Sequence, residues 1–222
     1  AIFIFGQNPG TNSPRMMTSL HDAARRGARI ISFNPFRERA LERFQAPQNP
    51  LEMATLSWTS ISNPLYQVRV GGDVAALKGI MKAIIEADDA ALASNQPRKI
   101  DVEFIEGHTA NFDKLVEDLR GTGWDAIEHM SGLRRADLTA VANVYMEANS
   151  AILVYGMGLT QHHRGTENVQ QLTNLALLRG NIGRPGAGVC PVRGHSNVQG
   201  NRTVGITEKP AKDWLDRIEQ TF

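Results

Sequence analysis

Short apolar runs, each ending at a glycine or an asparagine, recur along the chain and indicate buried strands. Residues 1–5 (AIFIF) lead into Gly6, and residues 151–155 (AILVY) lead into Gly156. Continuous apolar runs of this length are typical of parallel strands that are covered on both faces. The pattern predicts strands over 1–5, 29–33, 66–70 and 151–155.

Helical spacing follows most of these strands. Apolar residues recur three and four positions apart over 16–24, 74–85, 138–146 and 169–177. Strands that alternate with amphipathic helices favour an α/β fold, Rossmann-like, with mainly parallel sheets flanked by helices. Because a new strand begins just after Asn149, we expect two lobes, an α/β dinucleotide-binding lobe over 1–149 and a second α/β lobe over 150–222.

Three segments lack a regular pattern. Residues 37–63 are rich in Pro, Gln, Asn and Ser and predict a long surface connection. Residues 88–99 are polar and Ala-rich, which predicts a mobile connection. The Gly-, Asn-, Pro- and Arg-rich stretch 180–205 predicts irregular structure shaped by a ligand.

Composition narrows the choice of partners. Lys and Arg total 24 against 23 for Asp and Glu, so the net charge of +1 gives no argument for a nucleic-acid partner. No apolar run approaches the ~20 residues that span a bilayer, so membrane insertion is not expected. The single cysteine, Cys190, excludes an internal disulfide and a cysteine-ligated cluster built from this chain alone, and a reducing cytoplasmic location is the expectation.

Two features of the sequence set further expectations. The chain opens inside a strand-like run without Met, which predicts an internal piece of a longer protein. Cys190 lies between Val189 and Pro191 and is expected to be a small buried residue rather than a catalytic thiol.

The glycine turns are candidate binding sites. At the carboxyl end of a parallel strand, backbone N–H groups of a glycine turn face outward and can bind phosphate or ribose oxygens. Such turns occur at 6–10, 71–73 and 156–158. Glycines that only permit a tight turn are the alternative, since no turn has the full GxGxxG pattern.

Asp73 has two interpretations from its residue type alone. As a helix N-cap, its carboxylate would accept backbone N–H groups. As a ligand, it would accept the N1–H and N2–H₂ donors of guanine, a pair that adenine lacks. Asn34 stands where dinucleotide folds place an acidic ribose ligand, and an amide binds a hydroxyl more weakly than a carboxylate does.

The adjacent His162 and His163 do not predict a metal site. Two neighbouring histidines need a third ligand, and no HExxH or CxxC spacing accompanies them. We expect surface histidines, or histidines that contact other site residues, and no metal ligand within the chain.

A long motif supplies a family resemblance. The segments 156–161 (GMGLTQ) and 177–200 (LLRGNIGRPGAGVCPVRGHSNVQG) resemble the molybdopterin oxidoreductases, and the formate dehydrogenase branch in particular. In the first half, 4–9 (IFGQNP) and Asn34-Pro35 resemble the domain of that family that holds one pterin dinucleotide. By this match, lobe 1–149 corresponds to part of the family's third domain and 150–222 to part of its second.

The resemblance implies a cofactor and a set of residues around it. Two molybdopterin guanine dinucleotides would hold molybdenum or tungsten in the parent protein. The fragment alone would be inactive and need not bind this cofactor. Arg193 would lie near the metal as the catalytic residue. The expected cofactor-binding residues are Gly6, Asn8, Asn34, Gly71, Asp73, Gly156, Met157, Gly158, Gln161, His195 and Asn197.

The expected function is two-electron oxidation or reduction of a small substrate, with formate the first candidate and an electron-transfer protein as partner. Asn34 in place of Asp, and His195 in place of Gln, depart from the usual formate dehydrogenase pattern and leave the substrate open. The metal-ligating residue would lie outside this chain. The competing interpretations are a nucleotide-binding module of a thiamin-diphosphate-type enzyme and a non-catalytic scaffold, neither of which accounts for the run 180–200.

Overall fold

One parallel sheet organises the computed structural model, which describes residues 1–221. Its strands lie in the order β3-β2-β1-β4-β5, and every neighbouring pair is parallel. The chain builds outward from β1 through β2 to β3 and then crosses to the other side of β1. The strands are β1 Ile2–Phe5, β2 Ile30–Phe33, β3 Leu65–Tyr66, β4 Ile152–Tyr155 and β5 Gly188–Pro191.

The apolar runs are buried on both faces of this sheet, as their sequences predict. Successive side chains of a strand point to opposite faces, so Phe3 and Phe5 join one core cluster while Ile4 joins the other. On the first face Phe5 stacks on Phe33, with ring centroids 4.8 Å apart. Helix-covered parallel sheets require such two-sided burial.

Helices cover both faces. In residues 1–221 they are α1 Pro9–Asn12, α2 Pro14–Arg25, α3 Arg39–Glu42, α4 Pro50–Thr55, α5 Asp73–Ala93, α6 Val102–His108, α7 Phe112–Gly121, α8 Trp124–Ser131, α9 Arg135–Glu147, α10 Met157–Thr160, α11 Gly165–Leu177, α12 Val198–Thr203 and α13 Lys212–Thr221. None of these helices is both long and apolar enough to cross a membrane. The predicted α/β class with a mainly parallel, helix-flanked sheet is confirmed.

Helix α5 is the centre of the larger core. It packs against α7, α8, α9 and α11, and residues on all its sides are buried from Asp73 to Ile85. Gly79 allows α8 and α9 to approach, because a Cβ there would lie 2.6 Å from Leu138 and 2.8 Å from Ile127. An apolar helix of this kind belongs inside a protein.

The prediction of a mobile connection over 88–99 is wrong. Helix α5 continues to Ala93, and the buried Asp88 accepts hydrogen bonds from Arg98 (2.7 Å from Nη2) and from the Lys99 N–H (2.6 Å). Burial alone would raise the pKa of Asp88, but these hydrogen bonds outweigh it and lower the pKa. An ion pair between the exposed Arg98 and the buried Asp88 therefore holds this polar segment against the helix.

The stretch 180–205 is also more regular than predicted. Strand β5 lies within it and pairs with β4, and α12 follows. Strand pairing uses backbone groups, so a strand such as β5 can form without the continuous apolar run from which the other strands were predicted. By contrast, the strand predicted over 66–70 stops at Tyr66, because the Arg69 N–H bonds to the Ser131 carbonyl instead of extending the sheet.

The connection 37–63 is long, as predicted, but it contains α3, α4 and an antiparallel bridge between Phe44 and Thr59. Glu52 anchors it. Its buried carboxylate accepts the Ala46 N–H (2.9 Å) and contacts His21 Nε2 (3.1 Å) on α2. Part of this connection is therefore held against α2 rather than lying loosely on the surface.

The strands on either side of Asn149 share one sheet, which differs from the expectation of one sheet per lobe. Phe5 of β1 is in register with Tyr155 of β4, so the second half completes the sheet begun by the first. The chain instead separates into one compact unit, Ala1–Val192, and a second one from Arg193 onward. The assignment of 1–149 and 150–222 to two domains of a longer protein stays a prediction.

Asn181 links three elements of the larger unit. Its Nδ2 donates to the Tyr145 hydroxyl (2.8 Å), which donates to the Leu175 carbonyl (2.7 Å), and its Oδ1 accepts the Ala151 N–H (3.1 Å). All of these groups are buried. The network joins α9 and α11 to the start of β4.

Asn181→Ala should lower the free energy of unfolding by about 1–3 kcal/mol, because it leaves the buried Ala151 N–H without its acceptor. Urea denaturation of the 222-residue chain, followed by circular dichroism, measures this loss. Asn143→Ala, at an exposed position of α9, is the matched control and should cost far less. Equal losses for the two variants would show that the network contributes nothing.

Candidate functional site

The carboxyl ends of β1 and β4 meet at the point where the chain changes direction across the sheet. Ligands of open α/β sheets bind at such switch points. The loop after β1 and the loop after β4 contact each other through backbone groups: the Gly156 N–H donates to the Phe5 carbonyl (3.0 Å) and the Gly158 N–H to the Gly6 carbonyl (3.0 Å). The Gly6 N–H donates to the Phe33 carbonyl (2.9 Å). These three N–H groups are therefore committed to the fold and are not available to phosphate.

The same glycines are required for the close approach of the two loops. A Cβ on Gly6 would lie 2.6 Å from the Leu159 nitrogen, and a Cβ on either Gly156 or Gly158 would lie 2.7 Å from the Gly6 carbonyl oxygen. Gly6 also has a φ of +55°, which L side chains rarely adopt. Of the two interpretations, these glycines fit the tight-turn one, and any part they take in binding depends on the shape that they permit.

Helix α10 follows Gly156 and carries the next predicted residues. Met157 is half-buried and its sulfur contacts Thr160 Oγ1 at 3.7 Å. Gln161 caps the end of α10 through its N–H, which donates to the Met157 carbonyl (2.8 Å), and its side chain is exposed. Both residues are thus placed at the carboxyl edge of β4, and the exposed amide of Gln161 is open to a ligand.

Asn8 and Asn34 come together at the ends of β1 and β2. Asn34 is buried and its Nδ2 donates to Glu38 Oε1 (3.0 Å), while Asn8 Nδ2 donates to the other oxygen, Glu38 Oε2. Asn8 also caps α1, because its Oδ1 accepts the Thr11 N–H (3.1 Å). Glu38 was not among the site residues predicted from the sequence. Its position four residues after Asn34 was the available signal.

Asp73 is the first residue of α5 and Gly72 is the cap. Asp73 therefore does not occupy the N-cap position, and the N-cap interpretation is wrong. The carboxyl is buried, and this burial raises its pKa, opposed in part by His162 and by its own N–H. Gly71 adopts a φ of +80° just before it. A carboxyl that burial holds out of water retains acceptor capacity after one bond from its own N–H, so it is suited to accept donors from a ligand.

His162 and Asp73 are far apart in sequence, yet the charge of His162 opposes the rise that burial causes in the pKa of the Asp73 carboxyl. His162 lies between α10 and α11, in the segment that follows β4, and is half-buried, whereas His163 is exposed. The part that this pair takes at the site stays a prediction. Among residues 1–221, no group of three or more His, Cys, Asp or Glu side chains is arranged to hold a metal ion.

Arg193, His195 and Asn197 belong to the second compact unit. All three are exposed. Asn197 has a φ of +54° and is the cap residue of α12. Just before this unit, Cys190 is half-buried in β5, and burial raises the pKa of its thiol, which disfavours a reactive thiolate.

The family of the chain follows from comparison with known proteins. The model of the molybdopterin oxidoreductases matches residues 1–213, which is nearly the whole chain. The chain belongs to the molybdopterin oxidoreductase family. The motif of residues 177–200 is thereby accounted for, and the thiamin-diphosphate and scaffold alternatives are set aside.

Individual relatives agree with this assignment. The molybdopterin oxidoreductase chain is 54% identical to protein YdeP of Escherichia coli (strain K12) over 221 residues, which cover all of this chain and 29% of YdeP. It is 31% identical to formate dehydrogenase H of the same strain over 204 residues, or 92% of this chain and 25% of that protein. It thus spans between a quarter and a third of these curated relatives, as expected for a piece of a longer protein.

A solved structure shares the fold. Acetylene hydratase from Pelobacter acetylenicus superposes with a TM-score of 0.66 over 83% of this chain and 22% of that one, at 17% sequence identity. At this identity the likeness concerns the fold alone. It agrees with the parallel sheet and flanking helices described above.

Gly6→Ala should destabilise the chain by about 1–3 kcal/mol more than Gly27→Ala, because only the first substitution forces a Cβ into a neighbouring backbone. Gly27 has a similar left-handed φ of +86° with nothing within 4 Å of a Cβ, so its loss of about 1–2 kcal/mol isolates the conformational cost. Urea unfolding of both variants gives the comparison. If their free energies of unfolding agree, the loop contact does not constrain the site.

Proposed function

We propose that the chain holds the nucleotide ends of a bis(molybdopterin guanine dinucleotide) cofactor in a parent enzyme that oxidises or reduces a small substrate by two electrons. The likeness to formate dehydrogenase H supports formate as the first substrate to test. The single observation that carries the proposal is that the segments with Asn8, Asn34 and Gly156 leave the carboxyl ends of the neighbouring strands β1, β2 and β4, with Gln161 at the end of the short helix α10 after β4. Family membership supplies the class of cofactor.

The residues present fit a guanine nucleotide. Asp73 offers a buried carboxylate at the first position of α5, and guanine presents two adjacent donors to such a group. Under this proposal Gly6, Asn8, Asn34, Gly71 and Asp73 border one nucleotide, and Gly156, Met157, Gly158 and Gln161 border the second dinucleotide or a pterin. The N–H groups of Gly6, Gly156 and Gly158 donate to protein carbonyls, so side chains and other backbone groups would hold the phosphates.

The bound cofactor supplies the two-electron chemistry through its molybdenum or tungsten. The protein's own contribution is to orient the substrate and exclude competing reactions. In this proposal Arg193 presents two N–H donors to a carboxylate such as formate and keeps its charge at any relevant pH. His195 and Asn197, two and four residues beyond it, contact the cofactor. An electron-transfer protein as partner and a cytoplasmic location complete the proposal.

Asp73→Asn in the full-length parent should weaken binding of the cofactor about 5- to 150-fold, because an amide oxygen replaces the carboxylate that accepts the guanine donors, at a cost of about 1–3 kcal/mol. GMP released from the purified protein by acid hydrolysis, measured at limiting cofactor supply, reports occupancy. Asp113→Asn is the matched control, since Asp113 is an exposed acid in the first turn of α7. Unchanged GMP content in the Asp73 variant would mean that Asp73 has no contact with guanine.

Arg193→Lys should lower turnover by about 30- to 1,000-fold, or 2–4 kcal/mol of transition-state stabilisation, while metal and pterin contents stay at wild-type levels. Lysine keeps the charge but loses the paired donors. Steady-state rates with formate and metal analysis of the same sample are the measurements. Arg202→Lys, a substitution in the same unit of an arginine paired with Glu208, should leave the rate unchanged. A fully active, metal-replete Arg193→Lys enzyme would make the residue structural.

A further inference from the structure

Two asparagine amides hold the carboxylate of Glu38 from the ends of two different strands. Asn34, after β2, donates to Oε1 at 3.0 Å, and Asn8, after β1, donates to Oε2. Asn34 Nδ2 also donates to the Phe36 carbonyl (3.1 Å), which fixes the amide from a second side. Each carboxylate oxygen therefore has one partner and a defined direction.

The carboxylate keeps acceptor capacity after these contacts. Each of its oxygens can accept two hydrogen bonds, and each amide uses one. Glu38 is half-buried, makes no capping bond to α3, and leaves its neighbour Arg37 to pair with Glu42. Two neutral amides thus orient a negative charge without neutralising it. This arrangement is suited to accepting hydroxyl groups.

Space for a ligand lies next to the segments that carry Asn8 and Glu38, although these two residues do not themselves line it. Gly10 and Ala40, two residues beyond Asn8 and Glu38 respectively, line a cavity of about 760 Å³. Ligand sites for small molecules have volumes of about 300–1,000 Å³. Arg15 lines the same cavity and carries a charge that suits phosphate.

We propose that Glu38 accepts the ribose hydroxyls of the guanine nucleotide, and that Asn8 and Asn34 are positioning residues that orient Glu38. In dinucleotide folds an acidic residue near the end of the second strand binds the ribose. Here Asn34 occupies the strand end and the carboxylate comes from Glu38, four residues later. The inference rests on the proposed function, because the ribose belongs to the nucleotide proposed above.

The first test measures the cofactor content of the full-length parent. Glu38→Gln keeps the size of the side chain but loses the charge and one amide contact, and should reduce the GMP released per protein by about tenfold at limiting cofactor supply. Glu42→Gln, in the adjacent α3, is the control and should retain wild-type content. Thermal melting of the cofactor-free forms should be the same for all three proteins. If Glu38→Gln retains wild-type GMP content, the inference is overturned.

The second test separates ribose binding from a local structural role. The cofactor-free parent is titrated calorimetrically with GMP and with 2′-deoxy-GMP. The wild type should bind GMP about tenfold more tightly, and Glu38→Gln should bind the two alike, because the carboxylate that recognises the hydroxyl is gone. Asn34→Ala, which removes only the orienting amide, should reduce the preference for GMP without abolishing it. Equal preference for GMP in wild type and Glu38→Gln would overturn the inference.

The outcomes also distinguish this inference from the proposed function. A wild-type parent that releases no GMP after purification contradicts both. A wild-type parent that releases GMP, together with a Glu38→Gln variant that matches it, contradicts the inference alone. The GMP content of Asp73→Asn then tests independently whether the guanine base of the same nucleotide is bound.

Discussion

The contact between the loops after β1 and β4 is the constraint on which the rest of the structure depends. Backbone packs on backbone there: Gly158 donates to the Gly6 carbonyl, and none of Gly6, Gly156 and Gly158 has room for a side chain. The contact fixes the register of the two central strands. It also limits which groups could bind a ligand, because the N–H groups of Gly156 and Gly158 are used in making it and that of Gly6 donates to the Phe33 carbonyl.

Under the proposed function, recognition at this edge would therefore fall to side chains at the ends of the loops. Asp73 enters from the start of α5, and Glu38 from the start of α3, each a buried or half-buried carboxylate. Both lie outside the β1–β4 contact. Since a carboxylate accepts paired or adjacent donors, the two groups suit a base edge and a sugar better than they suit phosphate.

The sequence predicts the strands and helices where one element contains its own signal. The run 1–5 is apolar throughout, and α2 repeats its apolar positions every three to four residues. The Asp88–Arg98 pair was not predicted because the segment has the polar composition of an exposed connection. Strand β5 was not predicted because it depends on pairing with β4, which is distant in sequence. Glu38 was missed for the same reason: its role depends on Asn8, thirty residues earlier, and only the parallel pairing of β1 with β2 brings the two together.

The motif that first indicated the family combines two kinds of residue. Asn181 is buried and holds the Ala151 N–H and the Tyr145 hydroxyl, so its part is to join α9 and α11 to β4. Arg193 and His195, a dozen residues later, are exposed and begin a separate unit. Within one motif, therefore, the buried amide of Asn181 stabilises the sheet layer, whereas Arg193 and His195 lie in an exposed segment whose part in binding or catalysis is the proposal made above. A motif match alone does not separate these roles. Burial and hydrogen bonding do.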